Sequence, residues 1–261
     1  MKTISIFLLG FLLFTSCQPR EASEPEPTSP QWISLFNGNN LVGWTIRIRG
    51  KELGENYGNT FQVDSGILKI RYHEYQSYDD QFGAIYFNRP FSNYRLKIEY
   101  RFVGETAPGA PEWGYRDSGV QFHGQSPQSM KPGQSFPVCL EYNLHGGNGT
   151  DERPTGEVCT IGTYVQINGS RNPSFCTPPE VKRTFHGDQW VTLEIEVRDS
   201  VITHYVNGEE IITYSSPRYD PDHEFAGDLI EDGNDHLTSG YISLQSNSHP
   251  IDFRKIEILE Y

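Results

Sequence analysis

Tyr94-Arg95-Leu96-Lys97-Ile98-Glu99-Tyr100-Arg101-Phe102 alternates apolar and charged side chains without a break. Successive side chains of a strand point to opposite faces, so this stretch predicts a strand that buries its even positions and wets its odd ones. The same period runs from Val191 to Val197 through Leu193 and Ile195. Asp199-Ser200 then turns the chain into Val201–Val206, and Asn207-Gly208 is a two-residue hairpin signal before Glu210–Tyr214. Phe61–Ile70 reads as two strands about a tight turn, and Gly240–Gln245 and Asp252–Tyr261 complete the set. No window carries an amphipathic helix of three turns, and no segment repeats at a fixed period. The expected fold is all-β, an antiparallel two-sheet sandwich.

Composition agrees. The 261 residues include 25 Gly, 17 Pro, 15 Tyr and 15 Phe against 2 Met, a balance that favours turns and pleated surfaces over helix interiors. A net charge of −13 with no basic stripe argues against a nucleic-acid partner.

The chain opens with Met1-Lys2, an apolar run from Ile4 to Phe14, and Thr15-Ser16-Cys17. Residues 1–16 read as a signal peptide, too short to span a bilayer stably. Phe14-Thr15-Ser16-Cys17 resembles the lipobox of bacterial lipoproteins, which implies lipidation at Cys17, export and a membrane partner through that anchor. Gln18, in place of Asp, implies outer-membrane sorting. The bland alternative is an ordinary secreted protein cut nearby. Lys2 is the only charged residue in 1–16, so its loss leaves 20 basic against 34 acidic groups, a net of −14. Residues 17–30 hold four prolines and three glutamates and no large apolar side chain, which predicts a flexible tether. A single sandwich domain is expected over 31–261.

Three other cysteines remain. Cys159 and Cys176 sit in loop-like sequence and Cys139 inside an alternating strand, so a Cys159–Cys176 bridge in an exported chain is the expected pairing. Spacing alone leaves the other pairings open. No CxxC pair is present, so a zinc ribbon is not expected.

Some strands carry a polar face too specific for plain solvent surface. In Ser118–His123, inward Val120 and Phe122 place Gln121 and His123 outward. In Val138–His145, inward Leu140, Tyr142 and Leu144 align Glu141, Asn143 and His145 at roughly 6.5–7 Å intervals on the other face. Tyr241–Gln245 leaves Ser243 and Gln245 outward. Should such strands be neighbours, carboxylate, imidazole and amide groups converge in a form that holds a sugar and moves a proton. Arg95 and Lys97 read as ordinary strand exterior. His204 shares a face with Ile202 and Val206 and reads as packed structure. Asp228, Glu231, Asp232 and Asp235 lack the spacing of a calcium loop, so calcium has no support there and no metal or cofactor is implied. Serine-hydrolase, zinc-protease and phosphate-loop motifs are absent.

Trp32-Ile33-Ser34-Leu35-Phe36-Asn37-Gly38, with Leu41 and Gly43-Trp44, resembles the opening of the 3-keto-disaccharide hydrolase domain family, formerly a domain of unknown function. The resemblance continues through Tyr94–Phe102, Asp117–Val120, Pro137–Asn143, Ile202–Gly208, Gly240–Gln245 and Ile251–Arg254. Gly156–Thr163 and His186–Trp190 look like one branch of that family. It implies a jelly-roll sandwich similar to concanavalin A-like lectins and glucanases, with a concave carbohydrate face. It also places Glu141 at the acidic position of the central concave strand. The implied activity is cleavage of 3-keto-glycosides. Oxidation at C3 acidifies C2–H, a base removes that proton, and the enolate expels the glycosidic oxygen, with or without later addition of water. The expected partner is an oligosaccharide or oxidised glycoside.

On this reading Glu141 and His123 are the candidate catalytic groups, as base or acid. Arg101, Arg116, Asp117, Gln121, Asn143, His145 and Gln245 are candidate binding or oxyanion-stabilising residues. Two other classes stay open. A conventional retaining glucanase needs two carboxylates about 5–5.5 Å apart, and Glu141-Tyr142-Asn143-Leu144-His145-Gly146 supplies only one. A carbohydrate-binding surface protein would use the same fold without chemistry.

Overall fold

The alternating segments pair into two antiparallel sheets in a computed structural model that describes residues 31–172 and 174–261. The signal segment, Cys17 and the tether lie outside the described residues. Strands β1 to β6 are Trp32–Ser34, Trp44–Ile48, Phe61–Asp64, Ile67–Ile70, Gly83–Phe87 and Tyr94–Phe102. Strands β7 to β12 are Asp117–Gly124, Cys139–His145, Glu157–Ile161, Thr163–Ile167, Ser170–Arg171 and Cys176–Thr177. Strands β13 to β17 are Val191–Arg198, Val201–Val206, Glu209–Tyr219, Tyr241–Ser246 and Ile251–Glu260.

The larger sheet runs β11-β10-β15-β14-β13-β6-β17-β4-β3, with β1 sharing the β4 side of β17. The smaller runs β12-β9-β8-β7-β16-β5-β2. Sequence-distant neighbours in both sheets, such as β7 beside β16 and β6 beside β17, give the crossed connections of a jelly roll.

Between the sheets lies one apolar layer. Leu96, Ile98 and Tyr100 of β6 and Leu193 and Ile195 of β13 meet Val120, Phe122, Leu140, Tyr142, Ile242 and Leu244 of the smaller sheet, all buried. Each such side chain withdrawn from water contributes about 1.5–3 kcal/mol before the entropy of ordering is subtracted. His204 belongs to this layer, with Nδ1 3.0 Å from the Gly156 carbonyl, Nε2 2.8 Å from the Tyr214 hydroxyl and its ring 4.5 Å from that of Tyr142.

The second face of the two sheets differs. On β6 the odd positions are partly exposed, as alternation predicts. On β7 every residue is buried, and on β8 all but His145 are. Loop 125–137 covers another part of the smaller sheet's outer face. It folds over the β5–β2 side of the smaller sheet, where Arg47 donates to the Lys131 carbonyl at 3.0 Å and the Tyr86 hydroxyl lies 3.2 Å from the Met130 sulfur. Strands β7, β8 and β16 are left as the floor of a cleft.

Candidate active site

Register assembles the floor. Gln121 of β7 lies opposite Ser243 of β16 and opposite Glu141 of β8, Glu141 lies opposite Cys159 of β9, and Cys159 lies opposite Cys176 of β12. One row of side chains therefore crosses five strands. The next holds Gly119, Asn143 and Glu157, and the next Asp117 and His145. On β7, β8 and β16 these alternate with buried residues, so the packing of the sandwich fixes their direction.

Glu141 is the centre of this floor and only 5% exposed. Its Oε2 accepts from the Gln121 amide at 3.0 Å and the Gln245 amide at 3.1 Å. Gln121 is held in turn by the Ser243 hydroxyl, which donates to its Oε1 at 2.8 Å. Burial raises the Glu141 pKa to about 8, with the nearby Asp117 charge adding to the effect and the Gln121 bond opposing it. The glycine opposite Asn143 gives this side chain its room. A Cβ on Gly119 would lie 2.4 Å from Glu141 Cδ.

A second polar group stands at the Asp117 end. Asp117 accepts from the Asn247 amide through Oδ1, and its Oδ2 lies 2.9 Å from His145 Nε2. His145 Nδ1 lies 3.1 Å from the Pro154 carbonyl. Both ring nitrogens thus face oxygen acceptors, an arrangement that favours the protonated ring. Burial works against that charge, but the Asp117 bond and the Asp117 and Glu157 carboxylates outweigh it, and the His145 pKa is raised. Asn143 donates to Glu157 at 3.3 Å. Gln245 Oε1 and Asn247 Oδ1 are buried with no partner among the described residues.

Above the floor is a cleft of about 410 Å³, within the size range of small-molecule sites. Asp117, Glu141, Asn143, Gln245 and Asn247 line it from below. Trp113 and Phe136 stand on one side, each against Phe82 at centroid distances of 5.8 and 5.0 Å. Phe175, Ile161 and the bridged pair Cys159–Cys176 form the β9–β12 side. Cys139 is buried and unbridged among the described residues.

Of the residues singled out by sequence, Glu141, Gln121, Gln245, Asn143, Asp117 and His145 thus come together. Three do not. His123 is 1% exposed and its ring meets Tyr94 edge-on at 6.1 Å, inside the sandwich. The cause is a bulge between β7 and β16, where pairing slips from Gln121–Ser243 to Gly124–Tyr241 and His123 takes φ 46°. One inserted residue inverts the alternation. Burial alone pushes His123 down to about 4, and neither ring nitrogen has a partner among the described residues.

Arg101 lies on β6 of the other sheet, bonded to Asp252 at 2.9 Å and stacked 4.6 Å from the Trp190 ring. Alternation told which face it occupies, not which sheet. Arg116 turns away at φ 44° and donates to the Gly187 carbonyl and to Asp188, both at 2.7 Å, outside the cleft lining. Asn247 was the residue to find, since it continues the outward series Ser243, Gln245. Trp113 and Phe175 come from loops whose course no periodicity announces.

A two-sheet jelly roll with a polar floor buried beneath an aromatic-walled cleft defines the concanavalin-like and galectin-like class of folds. Residues 31–259 match the model of the 3-keto-alpha-glucoside-1,2-lyase-like domain, and the chain belongs to that family. The family is carbohydrate-active and hydrolase-like. Solved structures agree on the fold. A candidate glycosyl hydrolase from Parabacteroides distasonis superposes with a TM-score of 0.53 at 17% identity, covering 88% of this chain and 94% of that one. A protein of unknown function with a galectin-like fold from Bacillus subtilis gives 0.54 at 10% identity, over 88% and 94%. A structure from work on endo-acting O-glycanases of the human gut microbiota gives 0.51 at 13%, over 88% and 98%. No curated protein matches the sequence.

Proposed function

We propose that the protein cleaves 3-keto-glycosides, 3-keto-disaccharides among them, by elimination, with Glu141 as the base. The observation that carries this reading is one buried carboxyl at the centre of a sugar-sized cleft, set among neutral amides and raised to about 8. A base of that strength suits removal of a proton acidified by a neighbouring ketone. The C2–H proton passes to Glu141, the electron pair moves into the enolate, and the C1–O bond breaks to release the leaving group. Water added at C1 afterwards completes a hydrolysis. His145, whose proton affinity the Asp117 bond raises, and the Asn143 and Asn247 amides supply donors and favourable charge for the developing C3 oxyanion. The free carbonyls of Gln245 and Asn247 suit sugar hydroxyls. Export and anchoring through Cys17 at the outer membrane belong to the same proposal, resting on the leader sequence.

Asp117 supports a second reading, a two-carboxylate hydrolase, because it borders the same cleft as Glu141. Both of its oxygens are already engaged by His145 and Asn247. The test is to incubate the protein with 4-nitrophenyl glucosides and with their C3-oxidised forms and follow nitrophenol. Release from the oxidised sugars alone, lowered at least ~10³-fold by Glu141→Gln, is expected. Release from the plain glucosides brings back the hydrolase. Release from neither, with sugar still bound, leaves a lectin.

A further inference from the structure

Two large aromatic side chains among the described residues are more than half exposed, Trp113 at 55% and Phe175 at 62%. Both border the cleft over Glu141, from different sides. Trp113 stacks on Phe82, whereas no aromatic ring packs against Phe175 among the described residues. Its placement is set by the backbone around it. The Phe175 carbonyl accepts from Thr160 N at 2.8 Å and Thr160 Oγ1 at 3.3 Å. Asn172 donates to the Ser174 carbonyl, and Ser174 Oγ to the Cys176 carbonyl, both at 2.8 Å. Beyond these, β12 is two residues long, and its first residue is bridged to Cys159, directly across from it with Cα atoms 4.0 Å apart. Cys159 is itself the register partner of Glu141. A covalent link therefore joins the strand that follows Phe175 to the strand beside the carboxyl.

We propose that Phe175 is a stacking platform for a sugar ring and that the Cys159–Cys176 bridge is its positioning element, so that affinity depends on the bridge being closed. An exposed ring beside buried hydrogen-bonding groups is the arrangement that takes an amphipathic ligand such as a sugar, with C–H faces on the aromatic and hydroxyls on the floor. Opening the bridge frees two residues of edge strand that otherwise hold few bonds. A dithiol does this by giving two electrons and two protons across the S–S bond, which leaves two thiols here and the reagent as its own disulfide.

The inference rests on the reading of the cleft as a sugar site, and its test is a binding measurement that needs no turnover. In a Glu141→Gln background, calorimetry with 4-nitrophenyl glucoside and its 3-keto form should show Kd raised about tenfold by Phe175→Ala and kept within about twofold by Phe175→Tyr. The pair Cys159→Ser and Cys176→Ser should raise Kd to a similar extent. Adding Phe175→Ala to that pair should cost nothing more, because the two changes remove one interaction. In the catalytic protein the loss should fall on KM rather than kcat. Thermal unfolding checks that each variant is folded, and reduction of the native protein with dithiothreitol replaces the serine pair if that pair does not fold. A bridge-free protein that binds like the native one overturns the proposal, and so does additivity. Failure to fold under either treatment also overturns it, since the bridge would then hold the fold and not the platform. Sugar binding without cleavage of 3-keto-glucosides sinks the elimination reading alone, and absence of any sugar binding sinks both.

Discussion

On the outer face of β6, Arg95 reaches Glu194 at 2.8 Å, and Glu99 takes Arg254 at 2.6 Å and Lys255 at 2.5 Å. On the cleft face of β8, Glu141 meets two amides and, among the described residues, no cation. Both strands alternate apolar with polar residues, and both bury their apolar side in the same core. The outer carboxylate Glu99 is held low: burial opposes this, but bonds to Lys255 and Arg254 prevail. Glu141 is pushed up, because burial is not compensated by a positive partner. A paired surface charge is stable and inert, whereas a buried carboxyl without a counter-ion is poised to exchange a proton near neutral pH. The contrast teaches that alternation marks a wet face, and that burial of that face marks a working one.

The strongest way to break this contrast is Glu141→Gln. Besides the loss of turnover, the native kcat/KM should rise with pH through about 8, as the base ionises. Stability should move the other way. A folded-state pKa above the ordinary 4.5 favours the protonated native state, so this contribution is present below pH 4.5 and is lost as pH rises through about 8. The glutamine variant should lack that decline and be more stable than the native protein at pH 9 by roughly 2–4 kcal/mol in urea melts. An unchanged pH profile of stability would mean that Glu141 is solvated. Next in size is Gly119→Ala, whose methyl would land 2.6 Å from Glu141 Oε2. Activity should fall roughly 10–100-fold by displacement of the carboxyl, at a stability cost of about 1–2 kcal/mol.

The sheets were legible because a two-residue period survives any tertiary context in which one face is buried. Most of the floor was legible for the same reason, and Glu141, Asn143 and Gln245 all follow from their apolar neighbours. Of the three misplaced residues, Arg116 sits on a turn that points away from the cleft, and the other two have separate causes. A bulge is a one-residue event, and nothing in Phe122-His123-Gly124 announces it, so parity carried His123 to the wrong side. Sheet membership is a long-range fact, so Arg101 on a perfectly alternating strand could be assigned a face but not a sheet. The aromatic walls of the cleft come from segments 112–114, 125–137 and 174–177, whose positions are decided by what they pack against.

His123→Leu sharpens the first of these. The side chain faces Tyr94 in the core, so kcat/KM should stay within about twofold of native, and a larger loss would return His123 to the site. A buried neutral histidine held down to about 4 contributes stability that is present above its ordinary 6.5 and is lost as pH falls through about 4. Leucine cannot be protonated there, and it pays about 1 kcal/mol at neutral pH for the left-handed backbone at φ 46°. The variant should therefore be weaker than native at pH 7 and close the gap by pH 5. His204, likewise held down to about 4 by burial against its Gly156 bond, keeps part of the acid sensitivity.

Arg101→Gln has the smallest expected effect and tests the outer face directly. Its guanidinium shares Asp252 with Arg71, which lies 2.5 Å from the same carboxylate, so Asp252 keeps a counter-ion when Arg101 is lost. The Arg101 side chain is 32% exposed, so solvent and salt screen much of the pair. Its removal should cost at most about 1 kcal/mol, or roughly 2–4 °C in Tm. That difference should shrink in molar salt, and KM for a 3-keto-glucoside should not move. A KM shift of tenfold would place a sugar contact on the larger sheet and dissolve the distinction between the two faces. A salt-insensitive loss of stability with KM unchanged would assign Arg101 instead to packing, through its stem against the Trp190 ring.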